Sequence, residues 1–370
     1  MMRILIITAL YPPAVGGAAT YFGDIRPVLA AHPEIASLTI LTECMPGQPR
    51  RQAEGNWQVL RDLPTRVSVT QRSWLIHAAT FVLTQLWFAA YLPRLVKKLD
   101  VDLVHFHTRY RGRLFRTALQ RCHVPLVADL RDQMSDPAEL AQAADRLLCC
   151  SEGVRRFAIQ GGFPQDRISL VPIPFIPPEK PSPERVASIR RRYQLDRVPY
   201  LLFVGDMTYN KGVYDLLEAY RLWQHPDPVR LVFAGANRES TRFLDRVQQT
   251  QGAIYLGRVP HEDVLVLIHS AEIVILPSRS EGLPRVILEA VALGTKVLCP
   301  PAIPEFDEHL PWFVLPQISP EAIVEGLNAV RSSTRVPSYP LGEHSVNHVV
   351  GGLVRAYHHT LERRFRQIER

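Results

Sequence analysis

The sequence predicts an α/β protein built from two doubly wound domains, on three observations. The chain has 370 residues, more than one hydrophobic core usually holds, so two domains of comparable size are expected. Short apolar runs alternate with amphipathic stretches along its length, the pattern of parallel strands buried on both faces and separated by helices. One proline-dense segment, 172–183, interrupts that alternation, with six of its twelve residues proline. Proline fixes φ and lacks an N–H, so the segment reads as a stiff, extended linker between the two domains.

In the first half the runs 3–8, 37–42, 102–107, 125–130 and 146–151 read as buried parallel strands with helices between them. After the linker a second series follows at 200–205, 230–235, 253–257, 272–277 and 296–299. The expected organisation is a first Rossmann-like domain at 1–175, a second at 176–345, and a helical tail at 346–370 whose Arg-rich end crosses back to the first domain. Sheets of this kind bind ligands outside the carboxyl ends of their strands, so the residues just after each run are the ones to examine. The stretch 74–92 is apolar except for His77, Thr80, Thr84 and Gln85 and is nearly long enough to span a bilayer. Those four polar residues, and a position just before a strand, favour a buried or interfacial helix of the first domain, with membrane contact as its functional variant.

Composition fits a folded protein without a large disordered tail: 46% of residues are apolar and 21% charged. The net charge of +7 is concentrated in residues 1–120, which hold 14 Lys and Arg against 7 Asp and Glu. A basic first domain suits an anionic surface such as phospholipid headgroups or a phosphorylated acceptor, and a simply solvated basic face fits the charge equally well. The five cysteines, Cys44, Cys122, Cys149, Cys150 and Cys299, lack metal-ligand spacing and read as reduced core residues of a cytoplasmic protein. The apolar start at 1–10 runs into Tyr11-Pro12-Pro13 and a glycine pair, where a leader would continue its apolar core, so it reads as the first strand.

The chemistry concentrates in Pro277-Ser278-Arg279-Ser280-Glu281-Gly282-Leu283-Pro284 and the helical pattern after it. Pro284 suits a first helical position, Val286, Ile287, Ala290, Val291 and Leu293 form an apolar face, and Gly294 supplies the stop. A strand therefore runs into a loop and a helix start, whose N–H groups and positive dipole end favour a diphosphate. Glu281 lies on that loop and Glu289 within the second turn, where carboxylates accept hydrogen bonds from sugar or ribose hydroxyls without a metal.

The pattern P-S-x-x-E-G-x-P-x-x-x-x-E-A-x-A-x-G, from Pro277 to Gly294, resembles the signature of the retaining family 4 glycosyltransferases, including their E-x(7)-E pair. That resemblance implies the GT-B fold, two Rossmann-like domains facing each other across a cleft. It also implies transfer of a sugar from a nucleoside diphosphate sugar to an acceptor hydroxyl with retention. The co-substrate is the nucleotide sugar, and neither a metal nor a cofactor is implied. Other motifs agree in order. Gly16 and Gly17 follow the first strand, where the family's glycine pair lets the backbone approach the donor diphosphate. Asp102-Leu103-Val104-His105-Phe106-His107 resembles the D-x-V-H-x-H strand, with His107 at its carboxyl end toward the donor sugar. Strand alternation puts His105 one step deeper on the same face, where it reads as a structural histidine. Gly205, Lys211 and Gly212 match the V-G-R-x(4)-K-G loop, but Asp206 stands where the family has Arg. Exchanging a cation for an anion beside a phosphate calls for compensation, for which Arg238, Arg258 and Arg279 are candidates.

The resemblance thus implies donor contacts from Gly16, Gly17, Gly205, Lys211, Glu281, Gly282, Leu283, Pro284 and Glu289, with His107, Glu281 and Lys211 at the reacting centre. Arg131-Asp132 looks like the R-D of a subset of the family and, with Arg109, Arg111 and Arg113, would line an anionic acceptor site, exposed charges being the alternative. A lipid-linked or anionic acceptor at the inner face of the membrane fits the basic first domain, and nucleic acid is not among the implied partners. Smaller departures lie at Val171-Pro172-Ile173-Pro174-Phe175 and Pro301-Ala302. Asp100-Val101-Asp102 spells a D-x-D but precedes its strand, at the wrong end of a sheet for a ligand. A second reading, motivated by Asp206, is a non-catalytic sugar-nucleotide-binding homologue or inactive partner subunit. Epimerases and phosphorylases of similar architecture rank last.

Overall fold

In the computed structural model, residues 1–14, 16–65, 74–108, 110, 112–196, 198–224, 227–301 and 303–368 are described. The chain divides into two compact units, Met1–Pro174 with Glu343–Arg370, and Phe175–Gly342. Residues 171–182 between the last strand of the first unit and the next helix carry no regular structure, as their proline content dictates.

The first unit holds an eight-stranded sheet. Its strands are β1 (Met2–Ile7), β2 (Ile35–Glu43), β3 (Arg51–Glu54), β4 (Trp57–Leu63), β5 (Leu103–His107), β6 (Leu126–Leu130), β7 (Arg146–Cys149) and β8 (Ile168–Leu170). They lie in the order β3-β4-β2-β1-β5-β6-β7-β8, with β3 antiparallel to β4 and every other pairing parallel. Its helices are α1 (Gly17–Ala31), α2 (Trp74–Lys98), α3 (Arg113–Gln120), α4 (Pro137–Ala143) and α5 (Glu152–Gln160). Alternate residues of β1 feed opposite faces. Leu5 and Ile7 pack with Phe88 and Leu92 of α2, and Ile4 and Ile6 with Phe22 and Ile25 of α1.

The second unit begins with α6 (Pro183–Arg192) and carries β9 (Tyr200–Val204), α7 (Val213–Leu222), β10 (Arg230–Ala234), α8 (Thr241–Gln248), β11 (Ala253–Tyr255), α9 (His261–Ser270), β12 (Ile273–Ile275), α10 (Arg285–Ala292), β13 (Lys296–Leu298), α11 (Pro304–His309) and α12 (Pro320–Ser332). Its sheet runs β11-β10-β9-β12-β13, parallel throughout. The chain starts in the middle, winds outward through β10 and β11, and returns to the other side of β9 at β12. That reversal is a topological switch point, where neighbouring loops leave in opposite directions and open a crevice. The first unit has its own switch between β1 and β5.

The tail forms α13 (Val346–Ile368) and packs in the first unit, where Val349, Leu353 and Tyr357 are buried with Leu103, Val127 and Val171. Each such buried side chain contributes roughly 1.5–3 kcal/mol of apolar transfer, enough to hold the helix there.

Every strand expected from an apolar run is present. The hairpin of β3 and β4 and the short β8 were not expected. β3 is the polar sequence RQAE, exposed at all four positions on the sheet edge, so no apolar run marks it. β4 carries Arg61, buried because its guanidinium donates to the carbonyls of Pro49 at 3.2 Å and Pro12 at 3.1 Å.

Candidate functional site

In the second unit the loops leaving β9, β10 and β12 at their carboxyl ends are joined to one another. After β9 the chain reaches Gly212 at φ +69°, and a Cβ there would lie 2.0 Å from the carbonyl oxygen of Pro277. Only glycine allows that approach, both for its left-handed conformation and for the contact. The approach brings Lys211 beside the loop after β12, where its Nζ donates to Glu281 Oε1 at 2.5 Å. Seventy positions separate the two in sequence. Arg279 clasps the same two loops: its amide donates to the Asn210 carbonyl at 2.8 Å, and its guanidinium holds both oxygens of Asp215 at 2.9 and 2.8 Å. Both bonds to Asp215 come from Nη2, and Nη1 donates to the Tyr209 carbonyl at 3.0 Å, so Arg279 is committed to the scaffold.

The loop after β10 is held just as closely. Gly235 lies so near the Gly205 carbonyl that a Cβ would come within 1.9 Å of its oxygen, and Arg238 N donates to the Met207 carbonyl at 3.1 Å. Glu239 accepts from Tyr209 N at 2.8 Å and from the Tyr214 hydroxyl at 3.1 Å. This framework sets the Arg238 guanidinium against Asp206, Nε to Oδ2, at 3.0 Å. Of the three candidate arginines, Arg238 is therefore the one beside Asp206, and Arg258 stands exposed after β11.

The helix start behind these loops differs by one residue from the sequence expectation. Pro284 is extended, at φ −75° and ψ 115°, and is the N-cap of α10; its lost N–H is harmless there, as it would have been one position later. No side chain caps this start. Leu283 is buried, and Gly282 lies beside it on the same loop. Glu289 is buried within α10 and accepts from His261 Nε2 at 2.9 Å, with Arg285 Nε 3.9 Å away. Ser278, to which no role had been assigned, has a buried hydroxyl with no hydrogen-bond partner among the described residues. Its place between Pro277 and Glu281 was the signal that could have marked it.

In the first unit Gly16 caps α1 at φ +147° and Gly17 opens the helix. Among the described residues a Cβ at Gly17 would meet nothing within 4 Å, so packing against them does not account for glycine there. His107 ends β5 half-buried, with its ring 6.3 Å from that of Phe22. Burial lowers its pKa below that of a free imidazole, against the opposing pull of Asp129. His105 lies deeper on the same face, fully buried, with Nδ1 2.8 Å from the Tyr357 hydroxyl of α13 and Nε2 3.3 Å from Asp129.

Arg131 is not a solvent-exposed charge. Its side chain is 13% exposed and its Nε lies 2.6 Å from Asp129 Oδ1, while its guanidinium stacks 3.7 Å from the Tyr21 ring. Burial works against both charges, yet each stabilises the other: Asp129 is held well below the usual carboxylate range and Arg131 above that of a guanidinium. Asp132 accepts from Met134 N at 3.0 Å, an Asx-type turn. Arg109 and Arg111 lie outside the described residues. Beside Asp132 is a cavity of about 140 Å³ lined by Phe106, Thr108, Tyr110, Phe115, Ser135 and Leu140, which the sequence did not reveal. Asp102, of the D-x-D, holds Arg3 at the amino end of β5, with its Oδ1 2.7 Å from Nη2.

These sites can be set beside known proteins. The model for glycosyl transferases group 1 matches residues 198–332, and that for glycosyltransferase family 4 matches residues 15–175, so the two together take in most of the chain. The chain belongs to the group 1, family 4 glycosyltransferases. Among curated relatives of this family 4 chain, the putative teichuronic acid biosynthesis glycosyltransferase TuaC of Bacillus subtilis is 33% identical over 117 residues, 31% of this chain and 28% of that protein. The O-antigen chain mannosyltransferase B of Escherichia coli is 31% identical over 159 residues, 40% of each chain. The chain thus matches less than half the length of these relatives. Two solved structures extend over the whole of it. Sucrose-phosphate synthase from Thermosynechococcus elongatus superposes with a TM-score of 0.67 at 17% identity, covering 100% of this chain and 98% of that one. Anabaena HepE in complex with UDP and glucose gives 0.64 at 16% identity, with coverage of 100% and 98%. At such identities the likeness shows the fold, which is GT-B.

Proposed function

We propose that the protein is a retaining glycosyltransferase that moves a sugar of the hexose type from a nucleoside diphosphate sugar to an acceptor hydroxyl on a glycan, glycolipid or small molecule. The observation that carries this reading is the Lys211–Glu281 contact, beside the β9/β12 switch point and the start of α10. In this reading the ammonium of Lys211, with three donors, serves the departing diphosphate while still holding Glu281 in place for the sugar hydroxyls. Glu289, oriented at Oε1 by His261, keeps acceptor capacity for ribose. The amides at the start of α10 add positive potential at the phosphates. Fixed groups of this kind favour the charge-separated, oxocarbenium-like transition state without reorganising during the reaction.

In this reading Arg238, paired with Asp206, keeps the carboxylate from facing the diphosphate alone. Arg238 from the β10 loop offsets the negative charge of Asp206, leaving a neutral pair where the family carries a cation on the β9 loop. The family resemblance assigns Gly16, Gly17 and His107 of the first unit to the same reaction, and the open space at Gly17 leaves room for a ligand. Arg131 acts behind the acceptor site as a rigid wall, since its charge is already neutralised by Asp129. The aromatic cavity beside Asp132 is where an acceptor would sit. HepE was crystallised with UDP, which makes UDP-sugars the first donors to try, alongside GDP- and ADP-sugars. No metal or cofactor enters this scheme.

The test is a two-step one. Thermal shift against the nucleotide-sugar panel identifies the donor, with about 2.7 kcal/mol of stabilisation expected at a hundred times Kd. Transfer to candidate acceptors with that donor, followed by NMR of the product's anomeric proton, then reads the stereochemistry. An inverted product would remove the retaining assignment. Donor binding without turnover across a broad acceptor panel would favour the non-catalytic reading.

A further inference from the structure

We propose that the outward face of α2 docks the protein on an anionic lipid bilayer, with the helix lying along the surface. The helix is apolar on both its sides. Its inward face buries Thr84 and Gln85 alongside Phe88, Leu92 and Val96, and Gln85 Oε1 accepts from Phe115 N of α3 at 3.0 Å. Its outward face is apolar: Val82 is 52% exposed, Leu83 57%, Leu86 52% and Tyr91 57%. Ala79, Leu83, Leu86 and Ala90 are all exposed at the three- and four-residue spacing that makes one continuous stripe. A surface helix of a water-soluble domain turns a polar face to solvent, so this exposed apolar stripe points to a binding face.

The next residues at the same spacing are Arg94 and Lys97, and with Lys98 they make the end of the exposed face basic. Arg113 and Leu114, exposed on the packed α3, repeat the pairing of cation and apolar side chain. None of the 25 residues of α2 is acidic. A face of this kind seats its apolar stripe at the boundary of headgroups and acyl chains, while its cations meet lipid phosphates. A second copy of the same acid-free helix would leave those cations unneutralised, so charge favours the bilayer over self-association. Among the described residues no helix is long and apolar enough to cross a membrane, which fits a helix that lies in the interface. The inference does not depend on the transferase reading, because its test contains no nucleotide sugar.

The experiment is co-sedimentation of the full chain with phosphatidylcholine vesicles, with and without a third of phosphatidylglycerol. Binding to the anionic vesicles is expected, weakening roughly tenfold in neutral vesicles and falling with added salt. The double variant L83E/L86E should lose binding by tenfold or more, and R94E/K97E should lose the preference for anionic lipid. Both pairs point outward, and unchanged circular dichroism and melting confirm the fold; if L83E/L86E melts early, L83S/L86S takes its place. Native protein that stays in the supernatant with anionic vesicles overturns the proposal. So does an outward-face variant that folds and binds like the native chain. A concentration-dependent dimer abolished by L83E/L86E, without vesicle binding, would assign the face to a second copy instead.

Discussion

The two units present the carboxyl ends of similar parallel sheets, yet they use charge there in opposite ways. In the first unit Asp129 and His105 are fully buried and Arg131 is 13% exposed, with Tyr21 and Tyr357 closing the cluster. In the second unit Lys211 is 30% exposed against a Glu281 at 11%, and Asp206 and Arg238 are 47% and 37% exposed. Removing one partner of a buried pair leaves an uncompensated charge, whereas half-exposed pairs contribute little to stability and exchange partners easily. The first edge therefore uses its ionic groups as structure. The second keeps them accessible to a ligand.

The sharpest way to break that contrast is to remove one charge from each edge. Asp129→Ala should destabilise the protein by about 3–5 kcal/mol, because Arg131 is left buried without its carboxylate; the urea unfolding midpoint reads this directly. Lys211→Ala leaves Glu281, 11% exposed, without its ammonium; it should cost about 1–3 kcal/mol, less than Asp129→Ala, and slow sugar transfer by roughly 10²–10³-fold. A Lys211 variant that unfolds early but transfers normally would reverse the roles assigned to the two edges.

A smaller effect tests whether the β10 loop offsets the charge of Asp206. Arg238→Ala is expected to lower kcat/KM about tenfold, and adding Asp206→Arg to it should restore most of the loss by putting the guanidinium back on the β9 loop. Asp206→Arg alone, with two cations and no carboxylate between them, should shift Kd for the nucleotide diphosphate more than it shifts stability. If D206R/R238A is no better than R238A, the diphosphate does not lie between these loops.

The sequence and the structure part company where contacts are tertiary. Strands such as β9 and β12 were legible because burial on both faces demands an unbroken apolar run, whereas β3, exposed throughout, offered no such pattern. For α2 the composition announced an apolar helix, but which side faced water depended on Gln85 finding the amide of Phe115. The motif around Glu281 and Glu289 marked the loop and helix, and Lys211 was marked separately. Their contact arises from Gly212, whose need for close approach to Pro277 is invisible along the chain. Likewise three arginines were candidates to offset Asp206. The choice fell to Arg238 only because Asp215 occupies Arg279 and the Met207 carbonyl anchors the β10 loop.

The smallest expected effect concerns His107, which stands between the two kinds of site, half-buried on the structural edge yet assigned to the reaction. Burial lowers its pKa, so the folded protein binds its proton less readily than the unfolded chain does. Stability from this group is complete above the ordinary imidazole pKa near 6.5 and is lost as pH falls from there toward the depressed native value. His107→Gln removes the titration and keeps a hydrogen-bonding side chain. Between pH 7 and pH 5.5 the native protein should therefore lose more stability than His107→Gln, by at most about 1.4 kcal/mol per pH unit. Urea unfolding of both proteins at the two pH values measures the difference; the acid response of His344 is common to both and cancels, and Asp129, held well below the usual carboxylate range, stays ionised at both pH values. Equal losses would mean that His107 titrates as freely in the folded protein as in the unfolded chain. It would then be a cation in mildly acidic solution, unsuited to a neutral contact with the sugar.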